Sequence, residues 1–254
     1  VNGKEITDIE ALKKDYDYVV LAVGASEQGV LKLEAGDTMN ALDFLARFKA
    51  TEGKVELGKN VVVIGGGNTA MDTARAAKRN AGVEKVSLVY RRTRRYMPAD
   101  EEELVMAVED GVEFAELLAP VKLENGVLYC KKMVLGDMDA SGRRGVVETD
   151  ETVEVPADTV IAAVGEKVPG AFYESFGIAL DSRRRPQVNQ ETLETSVKGV
   201  YVAGDGLYGP ATVVEGIRDG KMAAEAIIGK ALAEDLFKLS DAETIYGRKG
   251  RLAE

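Results

Sequence analysis

Two glycines and an alanine near residue 65 have the spacing of a turn that binds phosphate. Gly65, Gly67 and Ala70 follow the pattern G-x-G-x-x-A, between an apolar segment, residues 61–64, and a run of small residues beginning near Asn68. The first glycine of such a turn permits a tight bend, the second lets a pyrophosphate approach the backbone, and the alanine lets the helix pack close to the sheet. The free N–H groups and the dipole at the helix start favour negative charge. We therefore predict a dinucleotide site; the alternative is a turn that only joins a strand to a helix.

An arginine cluster follows the next apolar segment. Residues 86–90 predict a second strand, and Arg91 and Arg92 come directly after it. At about this position, NAD-specific domains carry an acid that binds the ribose 2′-hydroxyl, whereas NADP-specific domains carry arginine. A guanidinium can hold a 2′-phosphate through two hydrogen bonds, and Arg94 and Arg95 extend the positive charge. The pattern predicts NADP(H) in preference to NAD(H); the alternative is a solvated basic turn.

Composition excludes several function classes. The 254 residues, 45% of them hydrophobic, suffice for one large or two ordinary domains, and the net charge of −10 argues against a nucleic-acid partner. The chain has no histidine and a single cysteine, Cys130, which excludes a histidine-based triad, a redox CxxC pair and an iron–sulfur cluster held by this chain. We predict no metal site and no acid–base catalytic residue. No transmembrane run or signal peptide is visible, so we expect no membrane partner and a cytoplasmic location.

The remaining apolar segments predict a mixed α/β fold. Residues 16–24 and 159–165 each have the pattern of a buried strand that ends at a glycine. Asn125–Gly126 predicts a type I′ hairpin turn. A helix is predicted over residues 101–110, with Asp100 as its N-cap in a capping box.

A second strand-to-helix junction lies near the carboxyl end. An apolar strand ends at Gly204–Asp205, and Pro210 is predicted at the first position of a helix that ends at Gly229. Asp205 can hold a hydroxyl group, and the N–H groups of residues 211–213 can face a partial negative charge. The alternative is that Asp205 only caps a helix that packs in the core.

Together these segments resemble one family, the flavin-dependent NAD(P)H oxidoreductases similar to the glutamate synthase small subunit. This group also includes the electron-input region of dihydropyrimidine dehydrogenase and selenate reductase-like subunits, and the resemblance is strongest to the last of these. It covers most of residues 16–229 in the family's order. The matching motifs are YVVLAVGA, ALDFL, VVVIGGGNTAMD, VYRRTRRYMPA, DASGR, DTVIAAVG and GVYVAGDGLYGPATVVEGIRDGKMAAEAI.

The resemblance implies an α/β fold in which a Rossmann-like NAD(P)-binding domain with a β-hairpin insertion is itself inserted in a partial FAD-binding domain. The expected divisions are 1–54 and 168–235 for the FAD-binding parts, 55–167 for the NAD(P)H domain, and 236–254 for a tail. The implied activity passes a hydride from NAD(P)H to FAD and electrons to an iron–sulfur or other redox partner.

The expected cofactor-binding residues combine the glycine turn with the positions that match the family. Their motifs are the turn and the helix after it, the arginines, the end of the strand near 163, and the carboxyl-terminal junction. They are Gly65, Gly66, Gly67, Asn68, Thr69, Asp72, Arg91, Arg92, Arg95, Ala163, Val164, Gly165, Gly204, Asp205, Ala211, Thr212 and Val213.

One departure from the family concerns FAD. The family's FAD domain opens with its own strand–GxGxxG–helix, and nothing before residue 16 of this sequence resembles it. We therefore expect the chain to be a piece of a longer polypeptide whose N-terminal FAD segment is missing, with FAD bound in the full-length protein. Two alternatives remain: a non-catalytic nucleotide-sensing or docking module, and a thioredoxin-reductase-like enzyme whose CxxC pair lies outside this chain.

Overall fold

The computed structural model describes residues 6–25, 27–138 and 144–233. The DASGR motif at 139–143 and the predicted tail at 236–254 lie outside these residues. The described helices are α1 (Ile9–Asp15), α2 (Ala41–Ala50), α3 (Asn68–Arg79), α4 (Glu101–Glu109), α5 (Gly170–Ser175), α6 (Asp205–Tyr208) and α7 (Val213–Ala233), with a 3-10 turn at Arg94–Tyr96. The described strands are β1 (Val19–Leu21), β2 (Glu27–Gln28), β3 (Met39–Asn40), β4 (Asn60–Ile64), β5 (Lys85–Tyr90), β6 (Glu113–Glu116), β7 (Leu118–Glu124), β8 (Val127–Met138), β9 (Arg144–Pro156), β10 (Thr159–Ala162), β11 (Glu166–Lys167) and β12 (Val200–Val202).

The chain divides into two units. Unit 1 comprises Val1–Glu27 and Glu166–Glu254, and unit 2 comprises Gln28–Gly165. The expected first division at 54/55 differs from this one, because residues 28–54 lie in unit 2. The reason is tertiary: β3 pairs in parallel with β10, and α2 packs against α3.

Unit 2 is built on a five-stranded parallel sheet in the order β3–β10–β4–β5–β6. The consecutive apolar residues of β4 are typical of a parallel strand covered on both faces. Val61 and Val63 pack with α2, α3 and α4, whereas Val62 and Ile64 pack on the opposite face. Successive side chains of a strand point to opposite faces, so this single strand contributes to two separate cores.

The second face of the sheet is covered by an antiparallel insertion, β7–β8–β9, in place of helices. The predicted hairpin is confirmed at its turn, where Asn125 and Gly126 have φ of 51° and 75°, as a type I′ turn requires. Cys130 of β8 is fully buried, and burial raises the pKa of its thiol to about 12. Its thiol is therefore neutral and inert at physiological pH.

Unit 1 contains the parallel pair β1–β12 and the helices α1, α5, α6 and α7. Its core is aromatic, with Tyr173 and Tyr201 fully buried, and the Tyr173 hydroxyl donates to the carbonyl of Gly206 at 2.9 Å. The predicted strand over residues 16–24 is confirmed as the shorter β1. Among the described residues, no helix combines the length and apolar character needed to cross a membrane, although α7 has 21 residues.

Asn80, at the end of α3, provides a test of how unit 2 is held together. It is buried, its Oδ1 accepts from the Val55 N–H at 2.9 Å, and its Nδ2 donates to the Val55 carbonyl at 2.7 Å. We expect Asn80→Ala to lower the free energy of unfolding by about 2–3 kcal/mol, since two buried backbone groups lose their partners. Urea denaturation followed by circular dichroism measures this. The exposed Lys49→Ala is the control, with a change within about 0.5 kcal/mol; an equally small change for Asn80→Ala would contradict the role.

Candidate functional site

The parallel sheet of unit 2 brings three of the predicted segments to one edge. Ile64 of β4 is in register with Ala162 of β10 on one side and with Val89 of β5 on the other. The glycine turn, the arginine cluster and residues 163–165 therefore all leave the carboxyl ends of adjacent strands. The chain passes from β4 through α3 to β5, away from β10, and ligands bind at such a switch point in open α/β sheets.

The three glycines of the turn are required for different reasons. A Cβ on Gly65 would lie 2.3 Å from the Ala163 carbonyl oxygen, and a Cβ on Gly66 would lie 2.4 Å from the ring of Tyr90. A Cβ on Gly67 would have no atom within 4 Å. Packing thus excludes side chains at Gly65 and Gly66, whereas Gly67 faces open space that a ligand can enter. This cradle fits a pyrophosphate.

No side chain of its first turn neutralises the positive end of the helix dipole at the start of α3. Gly67 is the N-cap and supplies no side chain, and the first turn of the helix carries no acidic residue. Asn68 and Thr69 open the helix next to the turn. Asp72 lies exposed one turn further on, where its charge is one of the smaller causes that raise the pKa of Arg75. The structure therefore places the turn and the helix start together, with Asp72 on the outer side of α3.

Two arginines of the cluster are engaged in contacts within unit 2. The Arg92 Nε donates to the carbonyl of Arg144 in β9 at 2.9 Å. Arg94 forms an ion pair with Glu101 at 2.8 Å, and its backbone N–H donates to Glu116 at 2.8 Å. Both side chains therefore connect the segment after β5 to its surroundings.

Arg91 and Arg95 differ from these two. Both are exposed, and within the described part of the chain neither has an ion pair. Arg95, but not Arg91, lines a cavity of about 640 Å³, whose lining also includes Arg94, Asp100, Glu101 and Glu116. Its volume lies in the range of small-molecule sites. These two guanidinium groups are the ones available to an added phosphate.

The segment after β10 is fixed beside the glycine turn. The Ala163 N–H donates to the Ile64 carbonyl at 2.8 Å, and the Gly165 carbonyl accepts from the Gly29 N–H at 2.7 Å. Val164 between them is 40% exposed. The backbone here is therefore held from both sides, while one side chain faces outward.

At the predicted strand-to-helix junction of unit 1, Gly204 and Asp205 form hydrogen bonds with other residues of the same unit. Gly204 has φ of 71°, and its N–H donates to Asp219 at 3.3 Å. The Asp205 Oδ1 accepts from the Ala211 N–H at 3.1 Å, which leaves its second oxygen for another donor. Sequence reasoning missed Asp219, which is 4% exposed and paired with Arg218. The sequence feature that could have revealed it is an aspartate placed among the apolar positions of the predicted helix.

The helix at this junction begins later than predicted. α7 starts at Val213, not at Pro210, and continues past Gly229. The reason is a capping box: the Thr212 N–H donates to the Glu215 carboxylate at 2.9 Å, and the Glu215 N–H donates to the Thr212 hydroxyl at 3.3 Å. The first of these bonds is the main cause that lowers the pKa of Glu215. The Thr212 N–H is therefore used within the chain.

Asp100 also differs from its prediction. It stands at the N-cap position of α4, yet its side chain makes no capping hydrogen bond to that helix. Its Oδ2 instead accepts from the Asn68 Nδ2 at 3.2 Å, and its N–H donates to the Asn68 Oδ1 at 3.0 Å. The predicted capping box with Glu103 is wrong because Asn68, distant in sequence, competes for the carboxylate.

Comparison with known proteins gives consistent matches. The family described as pyridine nucleotide-disulphide oxidoreductase matches residues 2–220. The chain is 41% identical to YgfK of Escherichia coli K12, an oxidoreductase by its name, over 87% of this chain and 22% of that protein. It is 36% identical to the glutamate synthase [NADPH] small chain of the same strain, over 89% of this chain and 52% of that protein. The chain therefore spans between about a fifth and a half of these relatives.

A solved structure extends the match to the fold. FprA of Mycobacterium tuberculosis, in a complex with NADPH, superposes with a TM-score of 0.71 at 20% identity, over 89% of this chain and 67% of that one. At this identity the likeness concerns the fold alone. It agrees with the α/β fold expected from the sequence, with its Rossmann-like unit.

The different surroundings of Gly65 and Gly67 give a paired prediction. We expect Gly65→Ala to lower the free energy of unfolding by about 1–3 kcal/mol, since the new methyl group meets the Ala163 carbonyl. We expect Gly67→Ala to change it by less than about 1 kcal/mol, since its methyl group enters open space and its φ of −97° suits alanine. Thermal melts of both variants measure the difference. Equal destabilisation would show that the space at Gly67 is closed.

Proposed function

This chain belongs to the pyridine nucleotide-disulphide oxidoreductase family, and we propose that it is the NAD(P)H-binding portion of a flavin-dependent oxidoreductase. In the complete protein, a hydride passes from NAD(P)H to FAD and the electrons continue to an iron–sulfur or other redox partner. The observation that carries the proposal is the open space at Gly67 on the same sheet edge as Arg91 and Arg95, which form no ion pair among the described residues. Hydride transfer requires orientation rather than a general base, so the absence of histidine does not count against it.

The glycine turn holds the pyrophosphate in this proposal. The turn at Gly67 and the start of α3 face the phosphates, and Gly67 permits close approach, whereas the Gly65 N–H donates to the Val89 carbonyl at 3.1 Å. Residues 163–165 border the same space at the end of β10. Asp72 belongs to this group by resemblance alone, and it lies on the exposed side of α3.

The arginines after β5 give the preference for NADP(H) over NAD(H). Arg91 and Arg95 bind the 2′-phosphate, while Arg92 steadies the segment through its bond to Arg144. The names of two relatives point the same way, since the glutamate synthase small chain of Escherichia coli and an Fe(3+) oxidoreductase subunit of Geobacter sulfurreducens both carry NADPH in their names.

Unit 1 contributes a partial flavin site in this proposal. Gly204 and the second oxygen of Asp205 face the ribityl and phosphate part, and the start of α7 faces the ring system. Val213, Val214 and Ile217 there are between 54% and 80% exposed, which suits contact with a flat apolar ring. The adenosine diphosphate part of FAD is held by an N-terminal segment outside this chain in this proposal, since no strand–GxGxxG–helix motif occurs before residue 16.

A non-catalytic nucleotide-sensing or docking module is the second candidate. The observation that favours it is that the N–H groups of Ala211 and Thr212, expected at the flavin, already donate to Asp205 and Glu215. The partial flavin site favours the oxidoreductase, since a sensor does not need it. A disulfide mechanism within this chain is disfavoured by its single, buried cysteine.

The first prediction concerns nucleotide choice. We expect Arg91→Ala and Arg95→Ala each to weaken NADPH binding about 10- to 100-fold and NADH binding less than about 2-fold, since only NADPH offers a phosphate to these charges. Isothermal calorimetry of the purified chain with both nucleotides measures this.

Two control variants sharpen the interpretation. Arg94→Ala removes a guanidinium already paired with Glu101, so it should leave the preference unchanged. Gly67→Ala places a methyl group where both nucleotides carry the pyrophosphate, so it should weaken both alike. Equal losses of NADPH and NADH in Arg91→Ala and Arg95→Ala would refute the 2′-phosphate role.

The second prediction concerns flavin. We expect the purified chain to be colourless and to show no NADPH-driven dye reduction, because the segment proposed to hold the adenosine diphosphate part of FAD lies outside it. Adding FAD together with the upstream segment of the full-length protein should restore reduction. A full flavin absorbance band in the chain alone would contradict the partial site, and an inactive full-length protein that still binds NADPH would favour the sensing module.

A further inference from the structure

The glycine turn, residues 65–67, is connected to the arginine segment, residues 91–100, by a hydrogen-bonded pair of side chains, Asn68 and Asp100. We propose that Asp100 is a positioning residue for nucleotide specificity: through Asn68 it holds the segment that carries Arg91 and Arg95 at a fixed distance from the pyrophosphate cradle. This inference rests on the proposed NADP(H) site; Asp100 lines the same cavity as Arg95, and the role inferred for it acts through its contact with Asn68.

Three hydrogen bonds join the two segments. The Asp100 N–H donates to the Asn68 Oδ1 at 3.0 Å, and the Asn68 Nδ2 donates to the Asp100 Oδ2 at 3.2 Å. The Ala99 N–H donates to the Gly66 carbonyl at 3.0 Å. The turn and the end of the arginine segment are thus tied by both backbone and side chains, although they are more than thirty positions apart in sequence.

The other end of the segment is tied to the same turn. Tyr90 is the last residue of β5, and its ring lies where a side chain of Gly66 would be. Its hydroxyl donates to the Tyr96 carbonyl at 2.8 Å. Arg91 follows Tyr90 directly and Arg95 precedes Tyr96. The backbone positions of Arg91 and Arg95 therefore depend on contacts that lead back to the glycine turn.

This arrangement has different consequences for the two nucleotides. NADPH and NADH share the pyrophosphate, but only NADPH must place a second phosphate at the arginines. Two phosphates joined by a ribose have a limited range of separations, so binding both requires the two binding segments to keep their spacing. A contact that fixes this spacing should influence NADPH far more than NADH.

The carboxylate charge of Asp100 is not what the contact needs. An asparagine at this position keeps an acceptor for the Asn68 Nδ2, and the backbone bond to Asn68 is unchanged. Since the Asp100 side chain makes no capping bond to α4, its replacement does not remove a cap from that helix. An effect of alanine that asparagine rescues therefore reports the contact with Asn68.

The experiment compares Asp100→Ala and Asp100→Asn by calorimetry with NADPH and NADH, with a thermal melt for each variant. We expect Asp100→Ala to weaken NADPH by about 3- to 10-fold and NADH by less than about 2-fold, the size that loss of one hydrogen bond gives. Asp100→Asn should stay within about 2-fold of the wild type for both. Glu102→Ala, an exposed acid in the first turn of α4, is the matched control and should change neither.

Distinct results separate this inference from the site on which it rests. Equal losses of both nucleotides in Asp100→Ala, or no rescue by asparagine, would overturn the positioning role while leaving the NADP(H) site intact. If Arg91→Ala and Arg95→Ala also fail to affect NADPH, the proposed site itself is wrong. Should Asp100→Ala melt too early to titrate, Asn68→Ala breaks the same contact and must show the same loss for NADPH; an unchanged NADPH-to-NADH ratio there overturns the proposal.

Discussion

Close packing around a turn without side chains is the constraint on which unit 2 depends. Gly65 sits against the Ala163 carbonyl and the methyl group of Ala70, and Gly66 sits on the ring of Tyr90. Ala163 directly follows β10, Ala70 lies in α3 and Tyr90 ends β5, so the turn fixes the sheet edge and the helix start relative to one another. The site thus follows from a packing requirement, and Gly67, which packing leaves free, is the position open to a ligand.

The same strand that leads into this turn also explains the architecture around it. Alternate residues of β4 supply two cores, one shared with helices and one with the antiparallel insertion. The insertion replaces the helices that would otherwise cover that face. It also reaches the candidate site, since Arg92 donates to the Arg144 carbonyl in β9. The antiparallel insertion therefore both packs in the core and holds Arg92 after β5 in place.

Whether an arginine of this acidic chain can bind an added phosphate depends on whether it already forms an ion pair. The chain carries a net charge of −10, and its arginine cluster is a local exception. In the cluster, Arg94 is neutralised by Glu101, whereas Arg91 and Arg95 have no ion pair among the described residues. Only unpaired guanidinium groups gain a full charge-assisted bond from an added phosphate. The division between paired and unpaired arginines therefore decides which of them can recognise a nucleotide.

The sequence alone determined the features that depend on backbone conformation and periodicity: the strand–turn–helix at the glycine motif, the type I′ turn at Asn125–Gly126 and the α/β class. Such features depend on neighbouring residues, which the sequence displays directly. Only the tertiary structure decided that residues 28–54 join unit 2, that Asp100 pairs with Asn68 rather than capping α4, and that α7 begins at Val213. The first two of these outcomes depend on contacts between residues that are far apart in sequence, β3 with β10 and Asn68 with Asp100, which only the folded chain brings together. The third depends on which residue caps α7, and the hydrogen bonds between Thr212 and Glu215 in the structure decide it.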